Sequence, residues 1–160
     1  MLRIAPGDTV EIACRDAANG HFGAHSTADD IATMTPGEVN PVTGPVFVEG
    51  AEPGDALRIT LGAFQPSGLG WTANIPGFGL LAGDFPDPAL HIWRYDPTGA
   101  EPLLYGQTAR VPLAPFTGTI GLAPAAPGRH DIIPPRRVGG NMDIREMGPG
   151  TMLWLPVEVP

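Results

Sequence analysis

Apolar and polar residues alternate with a period of two in several short segments of the chain. In residues 9–14 and 56–64 the apolar side chains, among them Val10, Leu57 and Ile59, fall at every second position. A strand of an antiparallel sheet shows this pattern when one face packs on the core and the other meets solvent. The alternation therefore predicts one strand in each of these two segments.

A Pro-Gly pair stands immediately before three predicted strands. These pairs are Pro6-Gly7, Pro53-Gly54 and Pro149-Gly150. Proline presets φ at the second position of a type II turn, and glycine accepts the positive φ that the third position requires. Each pair thus predicts a tight turn that leads into a strand, and the last of these strands covers residues 152–159.

Short apolar runs predict further strands over residues 45–49, 90–95, 109–113 and 117–123. Seven or more short strands without helices between them favour an all-β fold, either a β-sandwich of jelly-roll type or a barrel. One short helix is predicted over residues 26–34, with Ser26 as its N-cap and Asp29 near the positive end of its dipole. Residues 65–88 and 124–142 are rich in Gly and Pro and are predicted to be loops, which at this length are commonly functional.

Composition agrees with a single turn-rich domain. The 160 residues suffice for one continuous core, so one domain over residues 1–160 is expected. They include 22 Gly and 20 Pro, too many for long helices. Cys14 is the only cysteine, which excludes a disulfide framework and a CxxC metal site within the chain.

Charge and hydropathy narrow the expected partners. The formal net charge is −8, and the nine basic residues are scattered apart from Arg136-Arg137. Binding to a phosphate backbone needs clustered positive charge, so a nucleic-acid partner is not expected.

No apolar run reaches the length of a signal peptide or a membrane span, and a cytoplasmic protein is therefore expected. Residues 152–160 are apolar except for Glu158, up to the last position, which suggests that the fold continues in a second polypeptide or packs against one.

Residues 16–30 concentrate side chains that suit a metal. His21, His25 and Asp29 are ligand types for a cation such as zinc, and two His with one carboxylate leave a position open for water. The spacing is not diagnostic, because Gly20 and Gly23 disfavour the helix on which two His at this spacing share a face. The alternative is a solvated loop in which Asp29 only caps the short helix.

A second polar group is the motif Gly139-Gly140-Asn141-Met142-Asp143. Its glycines can take positive φ and let a ligand approach the backbone, which makes Gly140 a candidate substrate contact. In a strand Asn141 and Asp143 would point the same way. An Asn amide can donate to a carbonyl oxygen that becomes negative, and an Asp carboxylate can bind a metal or orient a water. The alternative is a Gly-Gly turn closed by an Asx hydrogen bond.

Aromatic residues and glycines are interleaved over residues 70–81. Phe78 is a candidate substrate contact there, since a small uncharged substrate needs shape and few polar contacts. The same residues would equally suit the cover of a sheet edge or an oligomer interface. The chain has no Gly-x-Ser-x-Gly elbow, no phosphate-binding loop and no HExxH motif.

Three stretches, in this order, resemble the acetamidase/formamidase family. The first is NPVTGPVFVEGAEPGDAL at residues 40–57, and the second is PGFGLL at residues 76–81. The third comprises IIPP at residues 132–135 and GGNMDIR at residues 139–145. The resemblance spans nearly the whole chain.

This resemblance implies a fold, an activity and a site. The fold would be a β-sandwich of jelly-roll or CUB-like kind, and the activity hydrolysis of a short linear amide to a carboxylate and ammonia. Asn141 and Asp143 match the family motif directly, while Asp16 and His21 fall in its early active-site loop. The implied chemistry is metal-assisted attack of water on the amide carbon, with a zinc-type divalent ion, Asp143 as ligand or base and Asp16 as a further catalytic group.

The chain also departs from the family pattern. Family members usually carry Gln where His21 stands, and often His or Trp where Val138 stands. They continue after the last predicted strand into a Gly- and Asp-rich segment, so the resemblance implies a companion chain with the C-terminal half of the fold and an oligomer. A different hypothesis is a non-catalytic β-sandwich subunit that scaffolds or regulates a partner.

Overall fold

A computed structural model describes residues 1–160 except the side chain of Pro36. Its regular structure consists of short strands and two brief 3-10 helices, Ala28–Thr33 and Pro36–Glu38, so the all-β prediction is confirmed. The strands are β1 (Leu2–Ile4), β2 (Val46–Val48), β3 (Ala56–Thr60), β4 (Leu69–Asn74), β5 (Ala89–Arg94), β6 (Leu103–Tyr105), β7 (Ala109–Val111), β8 (Thr119–Gly121), β9 (Gly139–Asn141) and β10 (Met152–Pro156). They pair as two-stranded sheets, and the jelly-roll or CUB-like arrangement stays a prediction.

The chain forms two compact units, and each draws on segments that are distant in sequence. Unit 1 comprises Met1–Arg15, Val42–Phe64 and Pro115–Pro160. Unit 2 comprises Asp16–Pro41 and Gln65–Ala114. The expectation of a single domain stays a prediction.

Unit 1 contains three of the sheets. β1 pairs with β2 in parallel, and β8 pairs with β9 in the antiparallel sense. β3 pairs with β10, also antiparallel, and sets Leu57 opposite Leu155 and Ile59 opposite Leu153. Leu155 is buried, while Trp154 on the other face is 60% exposed. The alternation predicted for β3 and β10 is therefore confirmed.

The three Pro-Gly turns have the predicted backbone. Gly7, Gly54 and Gly150 have φ of 97°, 103° and 84°. These angles lie in the region that glycine adopts without steric cost. Two of the turns lead directly into β3 and β10, as expected.

Unit 2 is organised around the antiparallel pair β4–β5. One face carries Trp71 opposite Ile92 and Ala73 opposite Leu90. These side chains pack against a small buried cluster of Ala18, Phe22 and Ile31. The Phe22 and Trp71 rings meet edge to face with centroids 4.9 Å apart, a favoured aromatic geometry.

Four local predictions are wrong. β9 lies inside the predicted loop 124–142. Residues 9–14 form no strand; they have no partner strand, and all but Val10 are exposed. β4 lies inside the predicted loop 65–88; Leu69, Trp71 and Ala73 do alternate with polar or small residues there, but the Gly and Pro residues around them led to a loop prediction. The first helix begins after Thr27 rather than Ser26, whose hydroxyl instead accepts the Gly23 N–H at 3.1 Å.

Within the described residues, no helix has both the length and the apolar character needed to cross a membrane.

Candidate active site

The Gly-Gly pair of the motif at residues 139–143 has the backbone that its sequence predicted. Gly139 has φ of 91° and Gly140 has φ of 127°, a region that side chains rarely enter. Gly139 and Arg136 exchange two backbone hydrogen bonds of 2.8 and 3.0 Å, which close a tight turn just before β9. The motif is thus held by its own turn and by pairing with β8.

β8 and β9 approach each other unusually closely at two facing glycines. Gly121 pairs directly with Gly139. A Cβ on Gly139 would lie 2.5 Å from the Ile120 carbonyl oxygen, and a Cβ on Gly121 would lie 2.9 Å from the Gly140 nitrogen. Both positions therefore require glycine for steric reasons, independently of their backbone angles.

Asn141 is held by hydrogen bonds at both ends of its amide. Its Oδ1 accepts from the Thr119 hydroxyl at 3.0 Å, and its Nδ2 donates to the Ile133 carbonyl at 3.2 Å. The residue is partly buried at the end of β9. The amide oxygen and the amide nitrogen therefore each have a protein partner, and these two bonds leave one amide hydrogen and one oxygen lone pair unused.

Asp143 lies outside the strand and has a left-handed backbone, with φ of 52°. Its N–H and that of Met142 both donate to the Gly118 carbonyl at 3.0 Å. The carboxylate is exposed, and its Oδ1 would lie 3.0 Å from a Cβ on Gly118. Because β9 ends at Asn141, the alternation expected to align Asn141 with Asp143 does not extend to Asp143.

Asp16 organises the early loop of unit 2. Its Oδ1 accepts from the Ala18 N–H and from the Trp71 indole N–H, each at 2.9 Å, and its Oδ2 accepts from the Gly20 N–H at 2.8 Å. Three donors satisfy much of the carboxylate's capacity. The geometry favours a loop-holding role, and the catalytic role implied for Asp16 stays a prediction.

Replacing Asp16 by Ala is expected to lower the free energy of unfolding by about 1–2 kcal/mol, because three N–H groups lose a charged acceptor in a partly solvated loop. Trp71→Phe should cost less, since it removes one donor and keeps an aromatic ring beside Phe22. Urea denaturation followed by circular dichroism measures both. A larger loss for Trp71→Phe than for Asp16→Ala would contradict the assignment.

The predicted metal ligands of unit 2 are not assembled into a site. His21 Nε2 lies 2.8 Å from the Asp30 carbonyl oxygen, so this nitrogen carries the hydrogen and only Nδ1 can bind a metal. His25 and Asp29 are exposed. Among the described residues, no three His, Cys, Asp or Glu side chains form a group that could hold an ion. The assignment of His21, His25, Asp29 and Asp143 as ligands stays a prediction.

Each unit has a cavity, and one of the two is lined by residues of the predicted site. Unit 2 has a cavity of about 160 Å³ beside the Asp16 loop, lined by Asn19, His21 and Glu38 among others. Unit 1 has a larger one of about 340 Å³, but its lining contains neither Asn141 nor Asp143. Phe78, the predicted substrate contact, is 72% exposed and lines neither cavity.

One carboxylate with a shifted pKa, that of Asp96, lies outside the motif at residues 139–143 and outside the early loop. The pKa of Asp96 is lowered, because the Thr98 hydroxyl and backbone N–H donate to its carboxylate at 2.6 and 2.9 Å. Asp96 lies in the turn after β5, so this effect stabilises a local turn.

Sequence reasoning missed the residues in and just before β8 that support the motif. The Gly118 carbonyl accepts hydrogen bonds from the N–H groups of residues 142 and 143, and the Thr119 hydroxyl donates to Asn141. Gly121 has no side chain and therefore leaves space for Gly139. The segment was predicted only as a strand, because no local pattern relates it to a motif about twenty positions later. A Gly-Thr-x-Gly spacing is the one local sign that small residues are needed there.

Known proteins match this chain in sequence and in fold. It is 26% identical to a formamidase of Methylophilus methylotrophus, with 99% of this chain and 52% of that protein covered. It is 28% identical to an acetamidase of Mycolicibacterium smegmatis, with 98% and 53% covered. A crystal structure of an acetamidase from Bacillus halodurans superposes with a TM-score of 0.89 at 30% identity, over 99% of this chain and 52% of that one.

The chain spans about half the length of the curated relatives it matches. The model of the acetamidase/formamidase family matches residues 1–132, which include the first two stretches of the resemblance. The pairwise matches extend over nearly the whole chain. Because this match covers more than half of the chain, the chain belongs to the acetamidase/formamidase family.

Proposed function

We propose that this chain contributes to a hydrolase that cleaves the C–N bond of a short linear amide, of formamide or acetamide type, to a carboxylate and ammonia. The relatives named formamidase and acetamidase support this reaction class. The observation that carries the proposal is the geometry of Asn141, whose amide is fixed at both ends with one hydrogen left to donate.

In the proposed reaction, water attacks the amide carbon and the carbonyl oxygen becomes negative. The Asn141 N–H donates to that oxygen. Such a hydrogen bond stabilises the transition state most when the donor is already held in place. Asp143 takes the proton of the attacking water, since its exposed carboxylate is the nearest acidic group along the motif. The C–N bond then breaks, and the proton passes to the nitrogen, which leaves as ammonia.

A zinc-type metal is a separate proposal. The described residues do not by themselves fit a complete site, because they include no group of three suitable ligands and His21 Nε2 is engaged by a carbonyl. No step of the reaction is therefore assigned to a metal here.

A companion polypeptide, either the rest of a longer chain or a separate subunit, is the proposed partner. Its proposed contact is the outer face of β3–β10, where Met152 and Trp154 are 58% and 60% exposed. Large apolar side chains adjacent on one exposed face are typical of an interface. The difference in length also supports this partner, because the relatives are about twice as long as this chain.

The proposed function is tested by ammonia release from formamide and acetamide. The protein is assayed as this chain alone and together with the polypeptide that follows it, each before and after dialysis against a chelator. We expect release by the combined protein. Absence of release in every combination would favour the scaffold hypothesis, and turnover that survives chelation would remove the metal proposal alone.

A further inference from the structure

The Asn141 amide can take only one of its two orientations. Its nitrogen end faces the Ile133 carbonyl at 3.2 Å, and a carbonyl can only accept a hydrogen bond. The oxygen end therefore faces Thr119, whose hydroxyl donates to it at 3.0 Å. Rotation of the amide by half a turn would bring two acceptors together at Ile133.

Thr119 is placed for this contact by the β-sheet. It is the direct cross-strand neighbour of Asn141 in the β8–β9 pair. Both side chains are partly buried, which limits their alternative rotamers. The preceding residue, Gly118, holds the backbone of residues 142 and 143 through its carbonyl. The dipeptide Gly118-Thr119, at the start of β8, thus supports both polar residues of the motif.

We propose that Thr119 is a positioning residue that fixes the Asn141 amide in the orientation whose remaining N–H can donate to the substrate. This inference rests on the proposed function, in which that donor meets the carbonyl oxygen of the amide. With Oδ1 accepting from Thr119 and one amide hydrogen donated to Ile133, the second amide hydrogen is the one donor of this side chain that remains. The site would then favour ligands that place an oxygen acceptor opposite this N–H.

Thr119→Val tests the proposal, because it keeps the branched shape and removes the hydroxyl. We expect kcat for formamide or acetamide to fall by up to about 100-fold, as displaced catalytic groups do, with a smaller change in KM. Thr119→Ser keeps the hydroxyl and should restore most of kcat. Thr119→Ala replaces Thr119→Val if the latter is shown by circular dichroism to be unfolded.

A second measurement does not depend on turnover. In ¹⁵N-labelled protein, the side-chain amide hydrogens of Asn141 should exchange faster with solvent in Thr119→Val than in the wild type or Thr119→Ser. Unchanged amide signals in Thr119→Val would overturn the positioning role, and so would an unchanged kcat. If the wild type hydrolyses no amide while the amide signals respond as expected, the proposed function fails and the fixed orientation of Asn141 stands.

Discussion

Replacing Gly139 by Ala is expected to destabilise the protein by about 4 kcal/mol, through backbone strain of about 1–3 kcal/mol and overpacking of about 1–3 kcal/mol. The strain follows from a φ of 91°. The overpacking follows from a Cβ that would lie 2.5 Å from the Ile120 carbonyl oxygen and 3.0 Å from the Gly121 Cα, both of which belong to backbone that cannot simply turn away. The midpoint and slope of a urea denaturation curve measure the loss.

Gly7→Ala separates the two contributions. Gly7 has a closely similar φ of 97°, but a Cβ there would meet nothing within 4 Å. This variant should therefore show the strain without the clash. Equal losses for Gly7→Ala and Gly139→Ala would mean that β8 and β9 are not in the close contact described.

Replacing Asn141 by Asp is expected to lower kcat for amide hydrolysis by about 10²–10³-fold, the usual effect of losing one donor to a developing oxyanion. Aspartate has the same shape and no N–H. It would also set a carboxylate oxygen against the Ile133 carbonyl, now 3.2 Å from Nδ2, so the side chain would lose its fixed orientation. Ammonia release at saturating substrate measures the change.

Gln107→Glu is the matched control, since it makes the same change from amide to carboxylate at an exposed residue between β6 and β7. Its kcat should equal that of the wild type. Full activity in Asn141→Asp, with thermal unfolding shown to be cooperative, would remove Asn141 from the proposed reaction.

Local features of the chain were predictable where the cause is local. Gly7, Gly54 and Gly150 follow proline in turns whose geometry needs positive φ, and each has it. The alternation of Leu57 and Ile59 reports one buried face, because β3 has a partner in β10. The same alternation misled over residues 9–14, where no partner strand is present, since a period of two indicates a strand only if its backbone groups are paired.

The support of the motif was not predictable from the motif itself. The Gly-Gly pair predicted an unusual backbone conformation, and the side-chain types of Asn141 and Asp143 indicated polar chemistry. The amide of Asn141 is oriented, however, by Thr119, which lies 22 positions earlier, and by the carbonyl of Ile133. Such contacts depend on register between distant strands, which one sequence does not specify.

The interleaving of the two units sets an order for folding during synthesis. Unit 2 is complete once Ala114 has been made, whereas unit 1 also needs Pro115–Pro160. β3 must therefore wait for β10, and Leu57 meets Leu155 only after that strand has been made. Domains tend to fold as their residues emerge, so unit 2 can form first while the apolar side chains of β3 stay open to chaperones.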